Sequence, residues 1–422
     1  MKKTMVLAVA SLAGGAVLAS THGAQAADCN TYSNPVYIAG SSASKPIWAA
    51  LATHLSGVSI IYQGPSSCVG LSEVTTNVAD TSSAVYMDGS ANGIACTGTT
   101  GAVTIGASDV FPASCGSQIT WPASGYADFQ GPVQVMVMAV PYASTATAIS
   151  ADAAYTVFGW GGTSYPVSPW TEWQNIFIRS STSGTETMIG SAIGLAPSKW
   201  LSQVPDGGTS QRESGSGAVL AALQAAGAGT SANAAIGILA ADFGDTYRGA
   251  PGTNDAGGVT GGLKVLAFQS ATQTCGYLPD SDATHFDKIN VRQGRYDIWG
   301  PIHLVAAVDS SGKPTNAGAA TILDFVTANG LSDTDYQTLI QADANAHVIP
   351  QCAMQVQRAS EVTPVTGGGI TSYQPPKGCG CYYESLKNGG SPYSKYCATC
   401  STDTDCKSSS YSKCNFGFCE AQ

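Results

Sequence analysis

The sequence predicts an α/β protein whose parallel or mixed sheet carries helices on both faces. Two patterns lead there. Apolar runs of strand length alternate with runs that are apolar at helical spacing, and several strand-like runs end in small-residue turns that open directly into a helix-like run. Composition agrees. Only 11% of the 422 residues are charged and 49 are Gly, which suits an ordered chain with a large core. The length is enough for two or three domains.

The elements read in order as follows. VYIAG (36–40) is a strand that ends in Ser41-Ser42-Ala43-Ser44, and Lys45-Pro46 leads into the helical IWAALATHL, with Pro in the first turn. VSIIYQG (58–64) is a second strand, ending in Pro65-Ser66-Ser67-Cys68. AVTIGASD (102–109) is a third, ending in Ser108-Asp109, and VQVMVMAVP (133–141) is a long buried strand. IFIR (176–179) ends in Arg179, followed by Ser180-Ser181-Thr182-Ser183, then Gly184-Thr185 at a helix start. GGTSQRESGSGAVLAAL (207–223) echoes it, with Arg212 ahead of a Gly/Ser helix start. YDIWGPIHL (296–304) reads as a strand-to-helix element in which Trp299 and His303 are packing residues.

The net charge of −10 argues against a general nucleic-acid or anionic-membrane surface, so any bound anion needs a local site. Small hydroxyl or charged residues recur at four strand ends: Ser44; Ser66 and Ser67; Asp109; and Arg179 to Thr185. A helix N-terminus offers free N–H groups and a partial positive charge, hydroxyls add donors, and one arginine adds full charge with a planar fork. Each cluster taken singly reads as an N-cap or a turn. Their recurrence at strand ends, where α/β sheets bind ligands, makes them a candidate site. The five histidines show no metal spacing, and no nucleophile or metal signature accompanies Asp109 and Arg179, so a phosphoester hydrolase is the lesser reading and no cofactor or metal is expected.

Lys2 and Lys3, an apolar stretch and Ala24-Gln25-Ala26 form a secretory signal over 1–26. Cys29 lacks a lipobox context, so a periplasmic, secreted or cell-surface protein is expected. Thirteen cysteines fit an oxidising compartment. The total is odd, so at least one is unpaired or bonded elsewhere, and seven crowd the last 44 residues. That tail has few aliphatic residues and must be stapled by disulfides. Cys397-x-x-Cys400 is read as part of this framework rather than as a zinc site, since no histidine lies in the tail. Residues 359–378 read as a polar Gly/Pro linker before the cysteine-rich module of 379–422. The module is expected to bind an unknown partner, the cell wall, or another copy through the odd cysteine.

GSSASKPIWAALA, YQGPSSCVGL, IGASDVF and FIRSSTSGTETM, in this order and spacing, resemble the phosphate-binding proteins of ABC phosphate importers. AAIGILAADFGDTYRG (234–249) and GLKVLAFQ (262–269) are similar to that family's return to the first lobe. The resemblance implies a two-lobed periplasmic-binding-protein fold with the ligand between the lobes. The lobes would comprise 27–130, 131–244 and a return segment over 245–358. It implies inorganic phosphate as ligand, with arsenate as a look-alike, and a membrane permease as partner. By motif position, Ser44 and the Lys45 amide donate from the first turn and Ser66 or Ser67 from the second. Asp109 accepts from a protonated ligand oxygen, and Arg179, Ser183, Gly184 and Thr185 close the site. The family's acidic residue two after the arginine is Ser181 here. A surface phosphate scavenger, sensor or adhesive role through the tail is the alternative to uptake.

Overall fold

The computed structural model describes residues 26–98, 100–162, 164–252 and 262–421, so the expected signal segment lies almost wholly outside the described residues. The first half comprises β1 (Pro35–Gly40), α1 (Lys45–Ala52), β2 (Ser59–Gln63), α2 (Ser67–Thr76), the short β3 (Ala84–Tyr86) and β4 (Ile94–Cys96), and β5 (Ile105–Ser108). β6 (Tyr126–Pro141) leads out of it into β7 (Ala148–Ser150), α3 (Ala151–Trp160), β8 (Ile176–Arg179), α4 (Gly184–Ile193), β9 (Arg212–Glu213), α5 (Ser216–Ala228), β10 (Ile236–Ala240), α6 (Ala241–Thr246), β11 (Leu263–Val265) and β12 (Ala267–Gln269). After α7 (Ile289–Arg292), β13 (Trp299–Ala307) returns, followed by α8 (Ala317–Val326) and α9 (Asp333–Asn345). The C-terminal part holds the two-residue strands β14 (Val356–Gln357) and β15 (Thr371–Ser372), α10 (Gly380–Lys387), and the hairpin β16 (Lys413–Asn415) with β17 (Phe418–Glu420).

The strands run in the order β4-β3-β2-β1-β5-β13-β6-β10-β8-β9, with β11 also on β6. β6 is the seam. Its first part, Tyr126 to Val135, pairs antiparallel with β13, and from Met136 on it pairs with β10 and then β11. One strand thus serves two half-sheets, and the chain is two-lobed. β1 pairs in parallel with both β2 and β5, which sets the ends of all three side by side. In the second lobe β8 pairs in parallel with β10 and β9, bringing Arg179 level with Glu213. Parallel strands buried on both faces require continuous apolar runs, and β1, β5, β10 and the second half of β6 are buried throughout apart from Pro35. Gly40, at φ +147°, lets β1 turn against β5, where a β-carbon would strike the Ala107 carbonyl.

Three expectations are corrected. The 262–269 segment does not return to the first lobe: β11 pairs with Ala139 to Pro141 in the second half-sheet, and the return begins with β13. Residues 299–307 form one continuous strand, with a register shift against β6 between Pro301 and His303, and not a strand-to-helix element, because they pair with β5 and β6 together. Residues 359–378 are not a free linker. Glu361 and Val362 are buried, and β15 pairs with β14.

The cysteines pair as Cys29–Cys96, Cys68–Cys115, Cys352–Cys379, Cys381–Cys397, Cys400–Cys414 and Cys406–Cys419. The odd thiol is Cys275, exposed in the body and not in the tail. Cys397 and Cys400 belong to two different disulfides, so they are not a thiolate pair for zinc. The tail borrows its core from the body. Arg292 and Glu384 form a buried pair at 2.8 Å, Gln337 and Gln341 of α9 donate to the Tyr382 hydroxyl, and Cys352–Cys379 ties the two parts covalently.

Candidate ligand-binding site

The two lobes meet where the ends of β1, β2 and β5 face the end of β8. The contact is close. The Cys68 N–H donates across to the Thr182 carbonyl at 3.3 Å, the Ser66 hydroxyl reaches the Thr182 hydroxyl at 3.0 Å, and Arg179 Nη2 reaches the Ser42 hydroxyl at 3.4 Å. Gly184, the first residue of α4, lies directly against the other lobe. A β-carbon there would collide with Ser67 Oγ and stand 2.7 Å from Asp109 Oδ2. The glycine in this motif is therefore needed for approach as well as for the helix start.

Asp109 sits at the centre. Its side chain is buried, and Oδ2 accepts from the Ser41 hydroxyl and, at 3.3 Å, from the Ser67 hydroxyl. Oδ1 is buried with no hydrogen-bond partner. Burial pushes the carboxyl up to about 6, against the opposing pull of Ser41, Ser67, Arg179 and His303. A carboxylate oxygen held this way can accept a proton-bearing ligand atom, and it penalises any ligand atom that has no proton to give.

Arg179 is likewise buried, and burial lowers its pKa. Its guanidinium contacts the Glu213 and Ser214 carbonyls and the Ser216 and Ser42 hydroxyls, all at 3.3–3.4 Å. These are long for charged donors. Among the described residues no carboxylate pairs with it. Ser181 leaves the expected acidic position empty, and the nearby Glu186 is taken by Arg212, whose Nη1 lies 3.1 Å from both carboxylate oxygens. Burial raises Glu186 to about 7, and Arg212 opposes that rise. Arg212 also donates to the Arg179 carbonyl at 2.5 Å, so it braces the end of β8 instead of entering the cleft with a free guanidinium.

The helix starts around this point share a property. Ser66 and Ser183, at the N-caps of α2 and α4, make no side-chain cap bond, and neither does Ser44 ahead of α1. Ser150, Asn316 and Ser332, which start helices elsewhere, each cap in the ordinary way. The Ser66 and Ser183 hydroxyls are thus not spent on capping, whereas the Ser41 hydroxyl accepts from the Ala43 N–H in the turn ahead of α1.

Part of the expected set lies together at the lobe junction. Ser67, Asp109, Arg179 and Gly184 converge, and Ser183 and Thr185 are buried at the start of α4. The Ser44 hydroxyl is occupied locally, donating to the Ser41 carbonyl and accepting from the Trp48 indole N–H, so the first-turn hydroxyl that touches Asp109 is Ser41. Lys45 is half-buried at the start of α1, and burial lowers its pKa. Ser42, Ser216 and Thr182 were missed as contributors, although Ser41-Ser42 and the SGSG run stood in view in the sequence. Glu361 gave no signal at all. It accepts from the Phe111 N–H at 2.8 Å and so pins the turn behind Asp109 from 250 residues away.

No protein-family profile and no curated protein matches the sequence. Solved structures similar in architecture include a protein assigned as a phosphate ABC transporter substrate-binding protein, with bound phosphate, from Clostridium perfringens. It is 14% identical, with 75% of this chain and 99% of that one covered and a TM-score of 0.47. An ABC-type phosphate transport receptor from Vibrio cholerae is 13% identical over 75% and 100% of the two chains, at 0.42. OxyR of Corynebacterium glutamicum is 8% identical over 76% and 68%, at 0.40.

Proposed function

We propose that the chain is an exported solute-binding protein that encloses hydrogen phosphate between its lobes for uptake through an ABC-type importer. The observation that carries this reading is Asp109 Oδ1. Among the described residues, a buried carboxylate oxygen with no partner beside a buried arginine with no paired carboxylate fits an anion that still carries a proton. Phosphate and arsenate carry one near neutral pH; sulfate does not. Arg179 supplies charge, the uncapped start of α4 supplies N–H donors, and α2, whose Cys68 N–H is taken by the Thr182 carbonyl, adds its helix dipole. Ser41 and Ser67 hold the carboxylate by Oδ2, so that Oδ1 is the oxygen presented to the ligand. Closure of Gly184 on Ser67 excludes water and strengthens each of these contacts.

Equilibrium dialysis of the purified protein against labelled phosphate tests the reading. Saturable binding at one site per chain, abolished in Arg179→Met, is expected. Binding that survives Arg179→Met would place the anion elsewhere.

A further inference from the structure

The segment between β14 and β15 touches both lobes. Glu361 Oε1 accepts from the Phe111 N–H at 2.8 Å, just beyond Asp109 in the first lobe. A little further along, Pro364 lies against Gly194, the residue that ends α4 in the second lobe: a β-carbon on Gly194 would stand 3.2 Å from Pro364 Cγ. Val362, between them, is buried. Gly368, at φ +74°, folds the chain back so closely that a β-carbon there would stand 2.9 Å from Val362 Cα. Residues 361–364 thus form a strap between the turn that carries Asp109 and the helix that carries Gly184, and the pairing of β14 with β15 holds its ends.

The Asp109 turn is fastened along its length. Ser108 Oγ accepts from the Val110 N–H at 3.2 Å and donates to the Val110 carbonyl at 2.8 Å. Cys115, at the end of the helical turn that follows, is bonded to Cys68 beside Ser67. The Phe111 N–H lies between these points, and Glu361 is its acceptor. A carboxyl is a costly residue for docking alone. Glu361 is buried, burial raises its pKa, and Oε2 has no hydrogen-bond partner. Val362 shows that an apolar side chain can seat this segment. What the carboxyl adds is an acceptor for one backbone N–H where the chain sets the direction of Asp109. Without it that N–H loses its partner and the turn is free to shift.

We propose that Glu361 is a positioning residue of the anion site: by holding the Phe111 N–H it aims Asp109 at the ligand, and the strap makes the C-terminal segment part of that site. The role rests on the phosphate reading, because it acts through the preference of Asp109 for a protonated oxygen. Phosphate needs Asp109 in place, and sulfate gains nothing from it. A misplaced Asp109 therefore costs phosphate affinity and leaves sulfate the same or better bound. A general loss of stability would instead lower the fraction of active protein and leave the ratio of affinities alone.

The test is calorimetric titration of the full-length protein with phosphate and with sulfate. Glu361→Met removes the acceptor at similar volume, and its phosphate-to-sulfate ratio is expected to fall at least about tenfold. Glu361→Gln keeps a carbonyl oxygen for the Phe111 N–H and is expected to stay within about threefold of the wild type. Glu361→Asp keeps the charge but withdraws the carboxyl by a methylene; its ratio is expected to fall as well, and it carries the test if Glu361→Met does not fold. An unchanged ratio in a folded Glu361→Met or Glu361→Asp protein, or a Glu361→Gln ratio as low as that of Glu361→Met, would overturn the positioning role alone. A wild type with no preference for phosphate would overturn the phosphate reading and this role with it.

Discussion

Replacing Asp109 by Asn tests selection by protonation. In the proposed complex, hydrogen phosphate donates a hydrogen bond to Asp109 Oδ1, a charge-assisted bond worth about 1.5–3 kcal/mol. Sulfate leaves the same buried acceptor facing an unprotonated oxygen, at a cost of at least about 1–3 kcal/mol. The two effects add, and at 1.4 kcal/mol per decade they give roughly a hundred- to ten-thousandfold preference for phosphate. In the variant, the Ser41 and Ser67 hydroxyls still donate to the side-chain oxygen, which turns the new NH₂ towards the ligand. That group donates to sulfate and meets the phosphate hydroxyl without an acceptor. Calorimetric titration at neutral pH is expected to show phosphate weakened, sulfate gained, and the ratio reduced to about tenfold or less. pH gives an independent arm. With the wild-type carboxyl pushed up to about 6, its protonated fraction grows as pH falls through that value, so sulfate binding rises there in the wild type and stays flat in the variant. Stability without ligand follows the matching sign. The folded state holds this proton more tightly than the unfolded chain, so the contribution is full at low pH and is lost as pH rises through about 6. An unchanged phosphate-to-sulfate ratio in Asp109→Asn would refute the reasoning.

Further predictions concern closure and the tail. Gly184→Ala puts a β-carbon into Ser67 Oγ, an overpacking of about 1–3 kcal/mol that opposes closure, so phosphate affinity is expected to fall about tenfold with an unchanged circular-dichroism spectrum; undiminished affinity would contradict the closed geometry. Arg179→Lys keeps the charge but loses the fork, and a loss of about 2–5 kcal/mol in phosphate binding is expected by calorimetry. Glu384→Ala strands Arg292 in the body–tail interface and is expected to cost about 3–5 kcal/mol in chemical denaturation, whereas Arg292→Met with Glu384→Met is expected to recover most of that. Burial pushes the Asp245 carboxyl up, but Lys288, His347 and Arg248 outweigh it and hold the group well below the usual carboxylate range. Its contribution is full above the ordinary carboxylate pKa and is lost as pH falls below it, so denaturation of Lys288→Met across the acid range is expected to show a flatter decline than the wild type.

The alternation of strands and helices was legible because buried parallel strands must be apolar on both faces. The strand ends were legible because Ser, Gly and Asp cluster where a turn opens into a helix. What sequence could not resolve was which hydroxyl of Ser41-Ser42-Ala43-Ser44 meets Asp109: the Trp48 indole claims Ser44, and that contact exists only after α1 has formed. The role of Arg212 was hidden in the same way, since its pairing with Glu186 joins β9 to α4 across 26 residues. The docking of 359–378 and the tail was invisible to composition, because these segments lack a core of their own and complete one on α9 and α7.

The most direct measurement is calorimetric titration of the wild-type protein at neutral pH with phosphate, arsenate and sulfate in turn. The account predicts one saturable site per chain for phosphate, a related response to arsenate, and sulfate weaker by about two decades or more. Equal affinity for sulfate, or no heat of binding with phosphate, would contradict it.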